Sequence, residues 1–145
     1  MRNIIFIGIL FFCSSMLLSC TSEIDKQLKK MILKENEGTP KMLNTMMRLD
    51  NVKLEASKTV QFNYTIMDDG SREGVLPSDE SFLDTMKSKE SIELNKGIML
   101  SRLMKNPSPE TKFYFDNDVT IIFSYSDLNG NFVYDMKITP EDYKK

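Results

Sequence analysis

Residues 119–138 contain two runs in which apolar and polar residues alternate. The apolar positions are Val119, Ile121, Phe123 and Tyr125 in the first run, and Phe132, Tyr134, Met136 and Ile138 in the second. A period of two places successive side chains on opposite faces of a β-strand. Asn129-Gly130 lies between the runs and is the dipeptide that a type I′ hairpin turn prefers. The sequence therefore predicts an antiparallel hairpin whose opposing pairs are Tyr125 with Tyr134, Phe123 with Met136, and Ile121 with Ile138.

The same period of two appears between residues 52 and 66. The apolar positions are Val52, Leu54 and Ala56, followed by Val60, Phe62, Tyr64 and Ile66. A three-residue loop, Ser57-Lys58-Thr59, would set Ala56 opposite Val60 and Leu54 opposite Phe62, which keeps the apolar side chains on one face. Phe62-Asn63-Tyr64-Thr65 is echoed by Phe123-Ser124-Tyr125-Ser126, and both a duplicated α-β-β unit and two ordinary amphipathic strands explain that echo.

Helices are predicted before each pair of strands. Ser22 can cap a helix from Glu23 to about Lys34, with Ile24, Leu28, Met31 and Ile32 on one face. Residues 41–49 fit either a short helix or an irregular lead-in. Ser78 begins a second helical region, which is either one long helix with an exposed turn at residues 88–91 or two helices. Asn106-Pro107-Ser108-Pro109 ends this region, because a residue before proline is disfavoured in a helix.

These elements predict an α+β domain with the order α-β-β-α-β-β. Two hairpins would form a four-stranded antiparallel sheet with the helices packed on one face. The other face would be polar and open, with Ile122 and Val133 as its apolar exceptions. We interpret that face as a possible partner surface, formed by Ile122, Val133, Asn63, Thr65 and Ser124.

The first 20 residues have the pattern of an export signal. Arg2 precedes an apolar run from Ile4 to Phe12, which is well short of the roughly 20 residues that a membrane-spanning helix needs. The segment ends with Leu17-Leu18-Ser19-Cys20, which resembles the lipobox of bacterial lipoproteins. An uncleaved anchor and an ordinary signal peptide are the alternatives.

The resemblance implies that residues 1–19 are a cleaved signal peptide and that residues 20–145 are a single mature envelope domain. Cys20 would be the acylated first residue, and its diacylglyceryl and fatty acyl (palmitate-type) chains would hold the protein on the membrane. Thr21 stands where an Asp would signal inner-membrane retention in enterobacteria, so the resemblance favours the outer membrane, facing the periplasm. Since the first helix begins just after Cys20, we expect the domain to lie close to the bilayer.

Charge and composition exclude several classes of function. After Cys20 there are 18 basic and 21 acidic residues, a formal charge of −3, which does not suit a nucleic-acid partner. The chain has no histidine, and its cysteines are Cys13 in the signal and the lipidated Cys20. Catalytic sites of the Ser-His-Asp and Cys-His types are therefore excluded, together with His-ligated zinc and cysteine-cluster metal sites.

Three groups of acidic residues are candidate sites. Asp116-Asn117-Asp118 and Asp127–Asn131 contain oxygen ligands, but they lack the calcium-loop spacing, so we interpret them as turns. Asp68, Asp69 and Glu73 lie in a stretch rich in Gly, Ser and charge, which favours a solvated loop over a carboxylate pair. We predict no catalytic residue, no metal site and no cofactor.

The sequence favours a lipid-anchored, non-enzymatic binding or accessory module of the bacterial envelope, with a protein partner there. One alternative is a carboxylate-dependent hydrolase, which requires two acidic residues to meet in a concave pocket. A second alternative is a pilotin-like escort of an outer-membrane assembly, suggested by the anchor and the small α+β domain.

Replacing Cys20 with alanine tests the lipobox. We expect Cys20→Ala to fold but to lose all lipid modification, because the thiol is the only attachment point after the signal. Metabolic labelling with a radioactive fatty acid measures the modification. Undiminished label in the variant would contradict the lipoprotein interpretation.

Overall fold

The computed structural model describes residues 22–67 and 80–144, with the side chains of all of these except residues 80–83. Five helices and five strands lie in these ranges. The helices are α1 (Glu23–Glu35), α2 (Glu80–Lys87), α3 (Lys89–Lys105), α4 (Pro109–Asp116) and α5 (Pro140–Tyr143). The strands are β1 (Lys41–Asn44), β2 (Met47–Ala56), β3 (Thr59–Ile66), β4 (Thr120–Ser126) and β5 (Phe132–Ile138). No helix within these ranges is both long and apolar enough to cross a membrane.

The strands form one mixed sheet with the spatial order β1-β2-β3-β4-β5. Neighbouring strands are antiparallel except for β3 and β4, which are parallel. The α+β class is confirmed, but the predicted four-stranded antiparallel sheet and the order α-β-β-α-β-β are wrong. The chain reaches β4 from β3 through α2, α3 and α4, and such a long crossover lets two successive strands run in the same direction.

The fifth strand comes from residues 41–49, for which both sequence alternatives were wrong. Lys41 pairs with Leu49 and Met42 with Arg48, so this segment is an edge hairpin rather than a helix or an irregular lead-in. Its alternation is obscured because Met42 and Leu43, two consecutive apolar residues, are both about half exposed. Pairing with β2, rather than a clear period of two, therefore makes this segment a strand.

The β2–β3 connection differs from the predicted three-residue loop. Ser57 and Lys58 form a two-residue turn between Ala56 and Thr59, which are paired. The register then shifts, so that Leu54 lies opposite Val60 and Val52 opposite Phe62. A β-bulge explains the difference, because one extra residue in β2 restores the apolar side chains to a common face.

The β4–β5 hairpin has the predicted pairs of Tyr125 with Tyr134, Phe123 with Met136, and Ile121 with Ile138. The type I′ turn is wrong, since Gly130 has a positive φ and Asn129 does not. The register shifts beyond Tyr125, and Ser126 lies opposite Phe132. As a result Phe132, expected in the core, is 64% exposed, whereas Val133, expected on the open face, is 7% exposed.

Three of the described helices begin at a capping serine. Ser22 caps α1 by accepting a hydrogen bond from the Asp25 N–H at 3.1 Å, as predicted. The second helical region is two helices, because Ser88 ends the first and caps the second by accepting from the Ser91 N–H. α4 was not predicted; Ser108 caps it and Pro109 is in its first turn.

One apolar face of the sheet, called the inner face here, carries the buried Ile121, Phe123 and Tyr125 of β4. Side chains from α1, α2, α3 and α4 join these residues in a single hydrophobic cluster. Rings stack across β3 and β4, with centroids 5.6 Å apart for Phe62 and Phe123 and 5.4 Å apart for Tyr64 and Tyr125. The two echoed sequence segments are therefore neighbours in the sheet, which gives the repeated aromatic residues a packing role.

Asp25 fastens α1 to the sheet. Its side chain is only 6% exposed and accepts hydrogen bonds from the Ser57 hydroxyl at 2.8 Å and the Lys58 backbone N–H at 2.9 Å. The Lys58 N–H is the main cause that holds the pKa of Asp25 below its ordinary value, while desolvation opposes it and the Ser57 hydroxyl adds to it. The N-terminus of α1 is thus fixed at the β2–β3 turn.

Phe123→Ala tests the assignment of the inner face. We expect a loss of about 3 to 5 kcal/mol in the free energy of unfolding, because the buried ring leaves a cavity and two stacked neighbours. Ser124→Ala is the matched control on the opposite face, where the side chain is half-buried. Urea unfolding midpoints measure both, and a larger loss for Ser124→Ala would show that the faces are reversed.

Asp25→Asn tests the link between α1 and the turn. Hydrogen bonds to a charged carboxylate are lost, so we expect a loss of about 1 to 3 kcal/mol at pH 7. Because the folded pKa is lowered, the stabilisation is complete above the ordinary value of 3.8 and is lost as the pH falls through the folded pKa. Urea unfolding at pH 7 and at about pH 3 should show a smaller difference from the wild type in acid. Glu23→Gln, whose side chain is 72% exposed in the parent, should change neither value much.

Candidate functional site

A groove separates α1 from α4 on the inner side of the sheet. It consists of two adjoining cavities of about 240 and 360 Å³, which share Met31, Glu35 and Glu110. The deeper cavity reaches the inner face and is also lined by Phe62, Leu103, Ser108, Thr111, Tyr114, Ile121 and Phe123. The outer cavity adds Lys34, Pro109 and Phe113. The groove is therefore an apolar trough with charged groups along its rim.

The two helices that form the walls are held by local interactions. Asn36 follows α1, and its side chain exchanges two hydrogen bonds with the backbone of Val52, donating to the carbonyl oxygen at 2.8 Å and accepting from the N–H at 2.7 Å. α4 buries Tyr114, and the Val119 N–H that follows it donates to the Tyr114 carbonyl oxygen at 3.0 Å. α1 is thus bonded to β2, and α4 packs through the buried Tyr114 and is joined to β4 by a short turn.

The rim carries charges of both signs. The Glu35 carboxylate forms an ion pair with the Lys41 ammonium at 2.6 Å. Glu110 is exposed, and its own backbone N–H together with the Ser108 hydroxyl holds the pKa of its carboxyl below the ordinary value. Burial, followed by the nearby carboxylates of Glu35 and Glu110, raises the pKa of Tyr114 to about 12. The phenol is therefore neutral at physiological pH and can donate a hydrogen bond.

Two acidic residues, Glu35 and Glu110, do line one concave groove, which is the arrangement that the hydrolase alternative required. Acid–base catalysis of that kind also needs one carboxyl kept protonated near neutral pH by an apolar environment. Glu110 has a lowered pKa, and Glu35 is paired with Lys41. The groove is therefore better suited to binding an apolar segment with polar groups at its edges than to proton transfer.

The partner surface predicted from the sequence lies on the opposite face of the sheet. Ile122, Asn63 and Ser124 are half-buried there, and Ile122 faces Lys137. Thr65 and Val133 are 6% and 7% exposed. The expectation that Val133 is an exposed residue of the open face is therefore wrong, because the register shift beyond Tyr125 leaves Val133 buried. Whether the remaining residues contact a partner stays a prediction.

Polar side chains on that face bind one another. Gln61 donates to Asn63, which in turn donates to Asn51, each at 2.7 Å. The Thr65 hydroxyl donates to Asp50 at 2.6 Å, and Arg48 forms an ion pair with the same aspartate. These internal bonds explain how the short Thr65 side chain becomes buried on an otherwise open face.

The acidic segments form turns as predicted at Asp127–Asn131 and at Asn117 and Asp118, whereas Asp116 is the last residue of α4. The Asp127 carboxylate accepts hydrogen bonds at 2.8 Å from the backbone N–H groups of Asn129 and Asn131. Asn117 ends α4, and Asp118 has a positive φ and pairs with Lys144. Among the described residues, no group of three or more potential His, Cys, Asp or Glu ligands could hold a metal ion. Asp68, Asp69 and Glu73 lie outside the described residues, as does Cys20.

The groove was missed by sequence reasoning because α4 was not predicted. The signal that could have found this helix is Ser108-Pro109-Glu110, a capping serine followed by proline and an acidic residue in the first turn. The two prolines in this segment also indicate the end of the previous helix, and this signal obscures the start of α4. The closeness of α1 and α4 could not have been read from either helix alone.

No protein-family profile matches the chain, and no curated protein matches it by sequence. Two solved structures share its fold. A protein of Pseudomonas aeruginosa assigned as secreted has a TM-score of 0.62 at 13% identity, over 83% of this chain and 93% of its own. The pilotin EpsS of the Vibrio vulnificus type 2 secretion system has a TM-score of 0.51 at 12% identity, over 85% of this chain and 97% of its own. At such low identities the likeness shows a common fold.

Proposed function

We propose that this protein is a lipid-anchored, non-enzymatic accessory protein of the bacterial envelope, attached through Cys20 to the outer membrane. Within that class, it acts as a pilotin-like escort that binds a component of an outer-membrane secretion assembly. The groove between α1 and α4 is the proposed contact site. The observation that carries the proposal is the fold shared with a secretion-system pilotin over 97% of that pilotin's chain.

Two further features support it. The lipobox-like Leu17-Leu18-Ser19-Cys20 would place the domain at a membrane surface, where an escort of outer-membrane proteins must work. The groove offers an apolar floor of Phe62, Ile121 and Phe123, and polar groups at its rim. This combination fits an amphipathic protein segment, whose apolar side chains would lie on the floor and whose polar groups would meet the rim and the hydroxyls of Thr111 and Tyr114.

Complementation of a deletion strain tests the function. We expect loss of the protein to lower the amount of the secretion assembly's outer-membrane component in the outer-membrane fraction, and the wild-type chain to restore it. Cys20→Ala should restore little, because the escort would no longer reach the membrane. Met31→Lys should also fail, since Met31 lines both parts of the groove.

Leu33→Lys is the matched control on the same helix. Leu33 is 70% exposed and lines neither part of the groove, so this variant should complement as the wild type does. Urea midpoints of both lysine variants establish that they are folded. Full complementation by a folded Met31→Lys would remove the groove from the proposal, and normal assembly in the deletion strain would remove the escort function.

A further inference from the structure

We propose that the end of the sheet at the β2–β3 turn lies against the membrane surface, while the rim of the groove at Met31 and Glu35 and the β4–β5 turn are held away from it. This inference rests on the proposed lipidation of Cys20. It identifies the surface that meets lipid as the one formed by the β2–β3 turn and the N-terminus of α1. It also orients the proposed partner site relative to the bilayer.

The tether between lipid and domain is short. Only Thr21 separates Cys20 from Ser22, and Ser22 is already fixed as the N-cap of α1. Two residues of extended chain reach at most about 7 Å. Once Cys20 is acylated at the headgroup level, the N-terminus of α1 therefore cannot move far from the bilayer.

The N-terminus of α1 is in turn fixed to one end of the sheet. Asp25 holds the β2–β3 turn through Ser57 and Lys58, as described above. The Lys58 carbonyl oxygen accepts a hydrogen bond from the Thr120 N–H at 2.8 Å, which joins the start of β4 to the same turn. The short tether thus constrains the orientation of the whole sheet, rather than that of one loose helix.

The composition of this end suits a headgroup layer. Ala56 and Ser57 are exposed, and Lys26 and Lys144 pair with Glu23 and Asp118. Lys58 and Lys29 also have carboxylates nearby, so charges of both signs are mixed at this end and do not form a basic patch. The tether, rather than a basic patch, therefore sets the orientation.

The opposite end of the sheet has a different surface. Leu128 in the β4–β5 turn and Phe132 at the start of β5 are 47% and 64% exposed, and Met46 in the β1–β2 turn is 40% exposed. An eight-residue strand such as β3 separates the two ends by about 26 Å. Met31 and Glu35 of the groove lie eight and twelve residues along α1 from Glu23, or about 12 and 18 Å. The proposed orientation keeps these surfaces free for a protein.

Tryptophan fluorescence can measure the orientation, since the chain contains no natural tryptophan. The full-length lipoprotein carrying Ala56→Trp or Leu128→Trp would be purified from membranes and reconstituted in vesicles of phosphatidylethanolamine and phosphatidylglycerol. A fraction of phosphatidylcholine with a nitroxide on its headgroup quenches tryptophans near the surface. We expect at least about twofold stronger quenching of Ala56→Trp, because the reporters differ in depth by roughly one strand length.

A linker variant tests the cause of the orientation. Inserting a flexible Gly/Ser segment of about 12 residues after Thr21 gives a mean reach of about 19 Å and should remove the difference between the reporters. Equal quenching without the linker, or stronger quenching of Leu128→Trp, would overturn the proposed orientation. A difference that survives the linker would overturn the short tether as its cause. The mass of each purified protein is measured first. A mass without acyl chains overturns the lipidation and this inference together, whereas a lipidated protein with the wrong quenching overturns the orientation alone.

Discussion

The structure depends on the parallel pairing of β3 with β4. Each hairpin alone has one apolar face and cannot bury it, and their union in register places Phe62 beside Phe123 and Tyr64 beside Tyr125. These stacked rings form the middle of the inner face, and the remaining apolar side chains of the sheet continue it on either side. The described residues contain no cysteine, so a small domain of this kind has to obtain its stability from a continuous apolar core rather than from disulfides.

The same pairing produces the groove. Parallel neighbours require a crossover, and the described part of this one contains three helices, the last of which, α4, returns the chain to the start of β4. α4 is short and stands beside α1 without closing over the sheet completely, so part of the aromatic floor remains accessible between them. The candidate site is thus a consequence of how the two hairpins are joined, and its lining residues come from five different elements and the segment before α4.

The functional proposals concern both the N-terminal segment and the folded domain. The first 20 residues resemble a lipoprotein signal, and the fold is shared with a secretion-system pilotin and with a protein assigned as secreted. Asp25 connects the two, because it joins α1, the helix that would follow the lipid, to the β2–β3 turn at one end of the sheet. An anchored domain with a fixed orientation can present a lateral groove to a partner at a defined height above the membrane.

The sequence by itself determined the elements whose signals are local. The capping serine of α1, the alternation in β2 to β5 and the pairs around Phe123 were all readable, because propensity, capping and period act over a few residues. The tertiary structure decided the rest. Pairing with β2 made a strand of residues 41–44. Bulges in β2 and near Val133 moved side chains from one face of the sheet to the other. The crossover made β3 and β4 parallel. These outcomes depend on contacts between residues far apart in sequence, and a one-residue shift in register reverses every face assignment beyond it. For the same reason the groove, which depends on where α1 and α4 pack on the sheet, could not be predicted from either helix.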